Sequence, residues 1–227
     1  MIIPSHSFLD AISEAKKDYE SITFRHKELG IKKELDKRFR KRRDYPLMMN
    51  TIWTHPESKN KWLLTAMILN KAQHRNPKLL CAVMFERPSG KYVLMPTAPT
   101  GPQTWMLFPP HFFKRYRERI CGDENLSIMD VITRYFERNY VTGADINNVT
   151  GGFHYNYGNL EDMKNDFVGK VSEGTVFGSY YKLSIYNTFI IMKTIVRNDM
   201  LFKEQHELYD WMEDDMKAFM DEFATRK

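Results

Sequence analysis

Short apolar segments bounded by turn-forming residues are the feature that most constrains the fold of this chain. Three of them, "LMMNTIW", "KWLLTAMIL" and "KLLCAVMFE", occupy residues 47–53, 61–69 and 78–86. Each has the length and composition of a buried strand, and clusters of Pro, Asn, Ser and His separate them. The stretch "FERPSGKYVLMP" predicts a hairpin in which residues 88–90 reverse the chain. This part of the chain therefore forms a sheet with antiparallel neighbours.

Two later segments are also rich in β-branched and aromatic residues. They are "FVGKVSEGTVFGSYYK" at 167–182 and "LSIYNTFIIMKTIV" at 183–196. We expect Gly174 and Gly178 to lie at a turn or a bulge in these last strands. Residues 142–160, rich in glycine and asparagine, predict a long loop between the two parts of the sheet.

Helical patterns begin and end the chain. Apolar residues at helical spacing predict an amphipathic helix over 7–28 capped by Ser7, and "IKKELDKRFRKRRD" predicts a second, basic helix that stops before Pro46. The sequence thus predicts an α+β fold: a mostly antiparallel sheet flanked by helices, with an N-terminal helical arm. We assign residues 1–45 to the arm and 46–227 to an α+β domain with a C-terminal helix.

Charge is unevenly distributed along the 227 residues, whose formal net charge is +5. Residues 25–43 contain ten Lys and Arg and three acidic residues, whereas residues 204–222 contain eight acidic residues and one Lys. Two solvated helix faces explain this pattern, and so does a basic arm that contacts nucleic acid. In the second interpretation the phosphate-binding side chains are Lys37, Arg38, Arg40, Lys41, Arg42 and Arg43. The same cluster suits an acidic protein partner, including the acidic last helix of a second copy in a homo-oligomer.

Several functional classes are disfavoured by the sequence. Cys81 and Cys121 have no metal-ligand spacing and suit reduced thiols, so we expect a cytoplasmic protein. The N-terminus does not resemble a signal peptide and the apolar runs are too short to cross a bilayer, so no membrane role is expected. Without HExxH, GxxxxGK[ST], GxGxxG or GxSxG, the sequence predicts no metal and no cofactor.

The stretch "HFFKRYRERI" places His111, Arg115 and Arg119 four residues apart after a pair of prolines. On a helix, these three side chains share one face. Imidazole moves protons near neutral pH, and arginine binds phosphate oxygens bidentately, so the set suits binding or cleavage of a phosphodiester. In the alternative interpretation, the arginines pair with Glu118 or with acids on the next helix, and His111 meets only solvent.

A second amphipathic helix, "SIMDVITRYFERN", follows with Ser127 as its cap and ends near Asn139. The combination "HFFKRYRERI…SIMDVITRYFERN", with "EGTVFGSYYK" and "KTIVRNDMLFKEQ" downstream, resembles the RelE-like and colicin-like group of bacterial ribonuclease toxins, in particular members with an HxxxRxxxR helix. The resemblance covers residues 105–205, less than half of the chain.

This resemblance implies an RNA-binding protein that acts as a metal-independent, toxin-like endoribonuclease. Its catalytic residues would be His111 as general acid or base, Arg115 and Arg119 on the phosphoryl oxygens, Glu173 as a second proton-transfer group, and Lys193 and Thr194 as transition-state stabilisers. The alternative function is a non-catalytic module that binds nucleic acid or a protein partner. In such a module, Arg115 and Arg119 either bind phosphate or have a structural role.

Overall fold

A computed structural model describes residues 1–25, 47–68, 78–96, 104–139, 143–145, 164–182 and 188–201. The predicted basic helix and C-terminal helix, and the predicted loop 142–160 apart from 143–145, lie outside these residues. The chain divides into two compact units, Met1–Trp105 and Met106–Lys227. The arm boundary that we placed at residue 45 falls outside the described residues and remains a prediction.

The first unit combines one helix with an antiparallel meander. It contains the helix α1 (Phe8–Arg25) and the strands β1 (Leu47–Thr54), β2 (Lys61–Ile68), β3 (Lys78–Arg87) and β4 (Gly90–Pro96). Each strand pairs antiparallel with the next, in the order β1-β2-β3-β4. Arg87 faces Gly90 in the register of β3 and β4, which confirms the predicted hairpin.

Helix α1 starts with reciprocal capping and packs one stripe into the first unit. The Asp10 backbone N–H donates to Ser7 Oγ at 3.1 Å, and the Ser7 backbone N–H donates to Asp10 Oδ2 at 3.1 Å. The buried positions follow helical spacing: Ala11, Ala15, Tyr19 and Ile22. Within the described residues the predicted helix is therefore confirmed, with α1 ending at Arg25.

A buried carboxylate fastens α1 to the sheet of the first unit. Asp18, only 4% exposed, accepts hydrogen bonds at Oδ2 from Ser58 Oγ at 2.6 Å, Asn60 Nδ2 at 2.8 Å and Trp62 Nε1 at 3.1 Å. Three donors on one oxygen satisfy a charge that would otherwise be costly to bury. The helix is thus held by polar contacts as well as by apolar packing.

The described part of the second unit combines helices with further strands. Its elements are β5 (Thr104–Phe108), which begins in the first unit, α2 (Pro110–Tyr116), a π-helical turn (Arg117–Cys121), α3 (Ile128–Arg138), β6 (Gly143–Asp145), β7 (Lys164–Val171), β8 (Gly174–Lys182), β9 (Thr188–Val196) and a 3₁₀ turn (Asn198–Met200). The strands follow the order β5-β9-β8-β7-β6. The prediction of an α+β fold with a mostly antiparallel sheet and flanking helices is confirmed.

Aromatic packing holds α2 and α3 together in the second unit. Phe108 at the end of β5 lies 5.3 Å, centroid to centroid, from both Phe112 of α2 and Phe136 of α3, with near-perpendicular rings. Tyr135 adds an edge contact to Phe112 at 5.2 Å. Such edge-to-face pairs fix ring orientation as well as burying area. Among the described helices, none has the length and apolar character required to cross a membrane.

Gly174 and Gly178 lie at the predicted turn and bulge, and they allow close approach between β8 and β9. A Cβ atom on Gly174 would overlap the carbonyl oxygen of Val196, and one on Gly178 would overlap that of Ile191. Gly178 also lies at the register shift of β8 on β9, and Gly174 directly follows the β7–β8 turn. The turn residue Glu173 is thereby fixed close to the end of β9.

Candidate nucleic-acid interface

The helix that carries His111 changes its geometry halfway along the predicted cationic face. Pro109 and Pro110 begin α2, which suits prolines because the first helical N–H groups lack partners. After Tyr116 the chain forms the π-helical turn, closed by the Gly122 N–H donating to the Arg117 carbonyl at 3.0 Å, with Gly122 at φ 65°.

This π-helical turn holds the last of the three predicted cationic residues. His111 and Arg115 lie on α2, whereas Arg119 lies within the turn. A π-turn contains more residues than an α-turn and is often found at functional sites. The shared face of all three residues stays a prediction.

Helix α2 packs against β9, which determines the face that it presents to solvent. Phe112, Phe113 and Tyr116 are completely buried. His111 and Arg115, together with Lys114, are exposed. The aromatic residues thus orient a short cationic surface outward.

Arg119 is anchored on β9 by two neutral acceptors. Its Nη1 donates to Thr194 Oγ1 at 3.0 Å and to the backbone carbonyl of Ile195 at 3.2 Å. The structure therefore brings together two of the predicted site residues, Arg119 and Thr194, from distant parts of the chain. No carboxylate pairs with Arg119 within the described ranges, so its positive charge is not neutralised there.

His111 lies beside Lys193, a third predicted site residue. Partial burial lowers the pKa of His111 below its ordinary value of 6.5, the Arg115 guanidinium lowers it further, and a hydrogen bond with the Lys193 backbone acts in the opposite direction. The imidazole is consequently neutral at pH 7. Lys193 itself is exposed.

Arg115 is paired within its own helix. Its Nη1 lies 3.0 Å from Glu118 Oε2, while Lys114 Nζ lies 3.9 Å from Glu118 Oε1. This is the Glu118 pairing that the structural alternative anticipated for the arginines. It applies to Arg115 and not to Arg119, which bonds to β9 instead.

Glu173 lies in a separate network on the other side of Tyr116. Its Oε2 accepts from the Tyr116 hydroxyl at 2.5 Å and from Asn139 Nδ2 at 2.8 Å, and its Oε1 accepts from Arg138 Nη1 at 3.2 Å. Asn139 also accepts the Glu173 backbone N–H at 2.9 Å. None of these described contacts involves His111. The role of Glu173 as a second proton-transfer group stays a prediction.

The environment of Tyr116 keeps its hydroxyl protonated. Burial raises the pKa of Tyr116 far above its ordinary value, and the neighbouring Glu173 carboxylate raises it further. The protonated phenol donates its hydrogen to the carboxylate. The Tyr116–Glu173 contact thus stabilises the attachment of α2, which carries His111 and Arg115, to the β7–β8 turn.

The remaining predicted site residues fall outside the described chain. These are the six basic residues of the predicted arm: Lys37, Arg38, Arg40, Lys41, Arg42 and Arg43. Within the described ranges, no three His, Cys, Asp or Glu side chains are grouped so that they could hold a metal ion.

Three residues of the site were not identified from the sequence: Lys114, Tyr116 and Asn139. The four-residue spacing of Lys114 and Glu118 was a usable signal, since such residues are neighbours on a helix. No sequence signal indicated a polar role of Tyr116, and the sequence indicated Asn139 only as a helix end. Their contacts to Glu173 span 57 and 34 residues, a separation that local patterns do not reveal.

Searches against protein-family models, curated proteins and solved structures found no match to this chain. The resemblance to ribonuclease toxins thus stays a prediction from the residues quoted above.

Proposed function

We propose that the surface formed by α2, the π-helical turn and β9 binds RNA through its phosphate backbone. The observation that carries this proposal is the anchoring of Arg119 on Thr194 and Ile195, next to the exposed Lys193. Two cationic residues from distant parts of the sequence, Arg119 and Lys193, lie on elements that contact each other, the π-helical turn and β9. Phosphate contacts of this kind supply most of the affinity of nucleic-acid-binding proteins.

Arg119 is suited to bind a phosphate because one of its nitrogens already holds the side chain in place. Nη1 bonds to β9, and no contact to Nε or Nη2 occurs within the described residues. A guanidinium group can present two remaining N–H groups to phosphate oxygens in a planar fork. Anchoring also reduces the side-chain entropy lost on binding. Arg119 therefore provides an oriented phosphate ligand.

His111 adds a neutral imidazole whose pKa changes when a phosphate binds close to it. Its pKa is lowered by burial and by Arg115, so free protein at pH 7 holds an uncharged imidazole. A phosphate close to the ring favours its charged form and raises that pKa. RNA binding should thus strengthen as the pH falls towards the lowered pKa of His111.

Binding is tested with a fluorescein-labelled oligouridylate, whose anisotropy reports association at several salt concentrations. Lys193→Gln and Arg119→Gln are expected to weaken binding several-fold. If each residue contacts one phosphate of a single strand, each variant should also reduce the slope of log affinity against log salt by about 0.7. The matched control is Lys16→Gln, an exposed lysine of α1 in the other unit, which should change neither quantity.

Equal binding by Lys193→Gln, Arg119→Gln and the control would refute this surface as the RNA site. Absence of RNA binding by the wild-type protein would favour the alternative, a module that binds an acidic protein partner. A second copy of the chain belongs to the same alternative, and sedimentation of the purified protein at two concentrations measures self-association directly.

Cleavage of the bound RNA is the second candidate function, and the neutral imidazole of His111 favours it. As a general base, His111 would take the proton of a ribose 2′-hydroxyl while that oxygen forms a bond to the adjacent phosphorus. The bond from phosphorus to the 5′-oxygen then breaks, and an acid must protonate the leaving oxygen. Arg119 and Lys193 would stabilise the negative charge that develops on the phosphoryl oxygens.

Incubating mixed RNA with wild-type and His111→Ala protein in EDTA tests this chemistry. Cleavage by the wild type alone would support metal-independent catalysis by His111. Intact RNA in a preparation that binds oligouridylate would assign the protein to the non-catalytic, RNA-binding class. Cleavage by both proteins would reject His111 as the base.

A further inference from the structure

We propose that Glu118 is an internal anion that occupies part of the cationic surface and is displaced by the phosphates of a polyanion. This inference rests on the proposed function for its natural ligand, because it concerns the same surface. The two oxygens of its carboxylate are divided between two cations. Oε2 lies 3.0 Å from Arg115 Nη1, and Oε1 lies 3.9 Å from Lys114 Nζ.

The cations of this surface fall into two classes by the charge of their partners. Within the described residues, Arg119 is held by a hydroxyl and a backbone carbonyl, neither of which carries a charge. Arg115 and Lys114 face a carboxylate, which offsets part of their charge in the free protein. Arg119 can therefore bind a phosphate directly, whereas Arg115 and Lys114 must exchange the Glu118 carboxylate for the phosphate.

The exchange requires little energy because the ion pairs are solvated. The side chains of Lys114, Arg115 and Glu118 are 66%, 51% and 33% exposed. Ion pairs at such positions are weak, since water screens the charges and two long side chains lose freedom. A phosphate that contacts Arg115 can therefore replace the carboxylate with only a small net cost.

The position of Glu118 makes it a selectivity element. It precedes Arg119 in the π-helical turn and bonds to Arg115 on α2, so a phosphate that bridges the two arginines meets its negative charge. A small anion gains too few contacts to displace the carboxylate efficiently. A polyanion offsets the displacement with contacts to Arg119 and Lys193. Glu118 would thus weaken binding of isolated phosphates more than binding of RNA.

The test compares Glu118→Gln with Glu137→Gln, an exposed acid of α3 that provides the same change in net charge. Two probes are used: inorganic pyrophosphate, followed by the NMR shift of the His111 imidazole, and a fluorescein-labelled oligouridylate, followed by anisotropy. Glu118→Gln should bind the oligouridylate about two- to fivefold more tightly than Glu137→Gln does. It should bind pyrophosphate with a larger gain. In an Arg115→Gln background, the gains should shrink towards those of the control.

The two arms separate this inference from the proposed function. If pyrophosphate binding tightens in Glu118→Gln while no variant binds RNA, the internal anion stands and RNA is the wrong ligand class. If RNA binds equally to Glu118→Gln and Glu137→Gln, RNA binding stands and the internal anion is rejected. An equal gain for both probes would reject the selectivity, and no binding of either probe would reject both ideas.

Discussion

Replacing Tyr116 by phenylalanine tests the link between helix α2 and the β7–β8 turn. The side chain is completely buried, and its hydroxyl donates to Glu173 Oε2 at 2.5 Å. Phenylalanine fills the same space without the hydroxyl and creates no large cavity. The substitution removes the bond to Glu173 and the longer bond that the hydroxyl accepts from Asn139 Nδ2 at 3.4 Å. The change therefore measures the contribution of the Tyr116 hydroxyl to stability.

The structure sets the expected size of the effect. A hydrogen bond to a charged acceptor contributes about 1.5–3 kcal/mol to folding. After the change, Oε2 keeps its bond from Asn139 at 2.8 Å, and Oε1 keeps Arg138 at 3.2 Å. The carboxylate is thus not left without partners, which places the loss near the lower limit, about 1.5 kcal/mol.

Urea unfolding followed by far-UV circular dichroism measures this loss. The matched control is Tyr92→Phe, because the Tyr92 hydroxyl bonds to Ser89 at 2.8 Å in an exposed position. We expect the control to change the free energy of unfolding by less than about 0.5 kcal/mol. An equal, small loss in both variants would refute the claim that the Tyr116–Glu173 contact stabilises the attachment of α2 to the β7–β8 turn.

A double-mutant cycle with Glu173→Gln extends the same test. If the two side chains act through their mutual hydrogen bond, the double variant should lose less stability than the sum of the two single losses. Strict additivity would show that they stabilise the second unit independently.

Two further predictions concern titration. Burial raises the pKa of Tyr19 to about 12, and raises those of Tyr116 and Tyr135 as well, whereas unfolded tyrosines titrate near 10. The folded protein then holds more protons than the unfolded chain above about pH 10, so stability should fall as pH rises, by up to about 1.4 kcal/mol per pH unit for each tyrosine. Urea unfolding at rising pH, with phenolate absorbance as the readout of ionisation, checks this, and constant stability would contradict it. For His111, whose folded pKa lies below 6.5, the stability contributed by the neutral form is present above that value and is lost as the pH falls. In an NMR titration, Arg115→Gln should raise the pKa of His111 by removing a neighbouring cation, and an unchanged pKa would contradict that cause.

The elements that follow from local patterns were largely predictable from the sequence. The 88–90 turn places the β3–β4 hairpin in the predicted position, and Ser127 caps α3, with the Asp130 N–H donating to its Oγ at 3.2 Å. Helix α3 ends at Arg138, with Asn139 as its C-cap. These features depend on side-chain periodicity and on hydrogen bonds between residues close in the chain, which a sequence displays directly.

The cationic site was predictable only as a set of residue types. The sequence indicated that His111, Arg115 and Arg119 could act together, and it offered Lys193 and Thr194 as partners on a strand. It did not indicate which arginine would pair with Glu118. Arg115 pairs with Glu118 because they are helical neighbours, whereas Arg119, in the π-helical turn, bonds to Thr194 on β9.

The sequence by itself determined the α+β class, most of the described strands and helices and the positions of the cationic side chains, because these depend on composition and local spacing. Only the tertiary structure decided that Glu173 would bond to Tyr116 and Asn139. It also decided that Arg119 would be anchored on β9. Both outcomes depend on the packing of α2 against β9 and on the close approach of β8 and β9 at Gly174, contacts between residues that lie far apart in the chain.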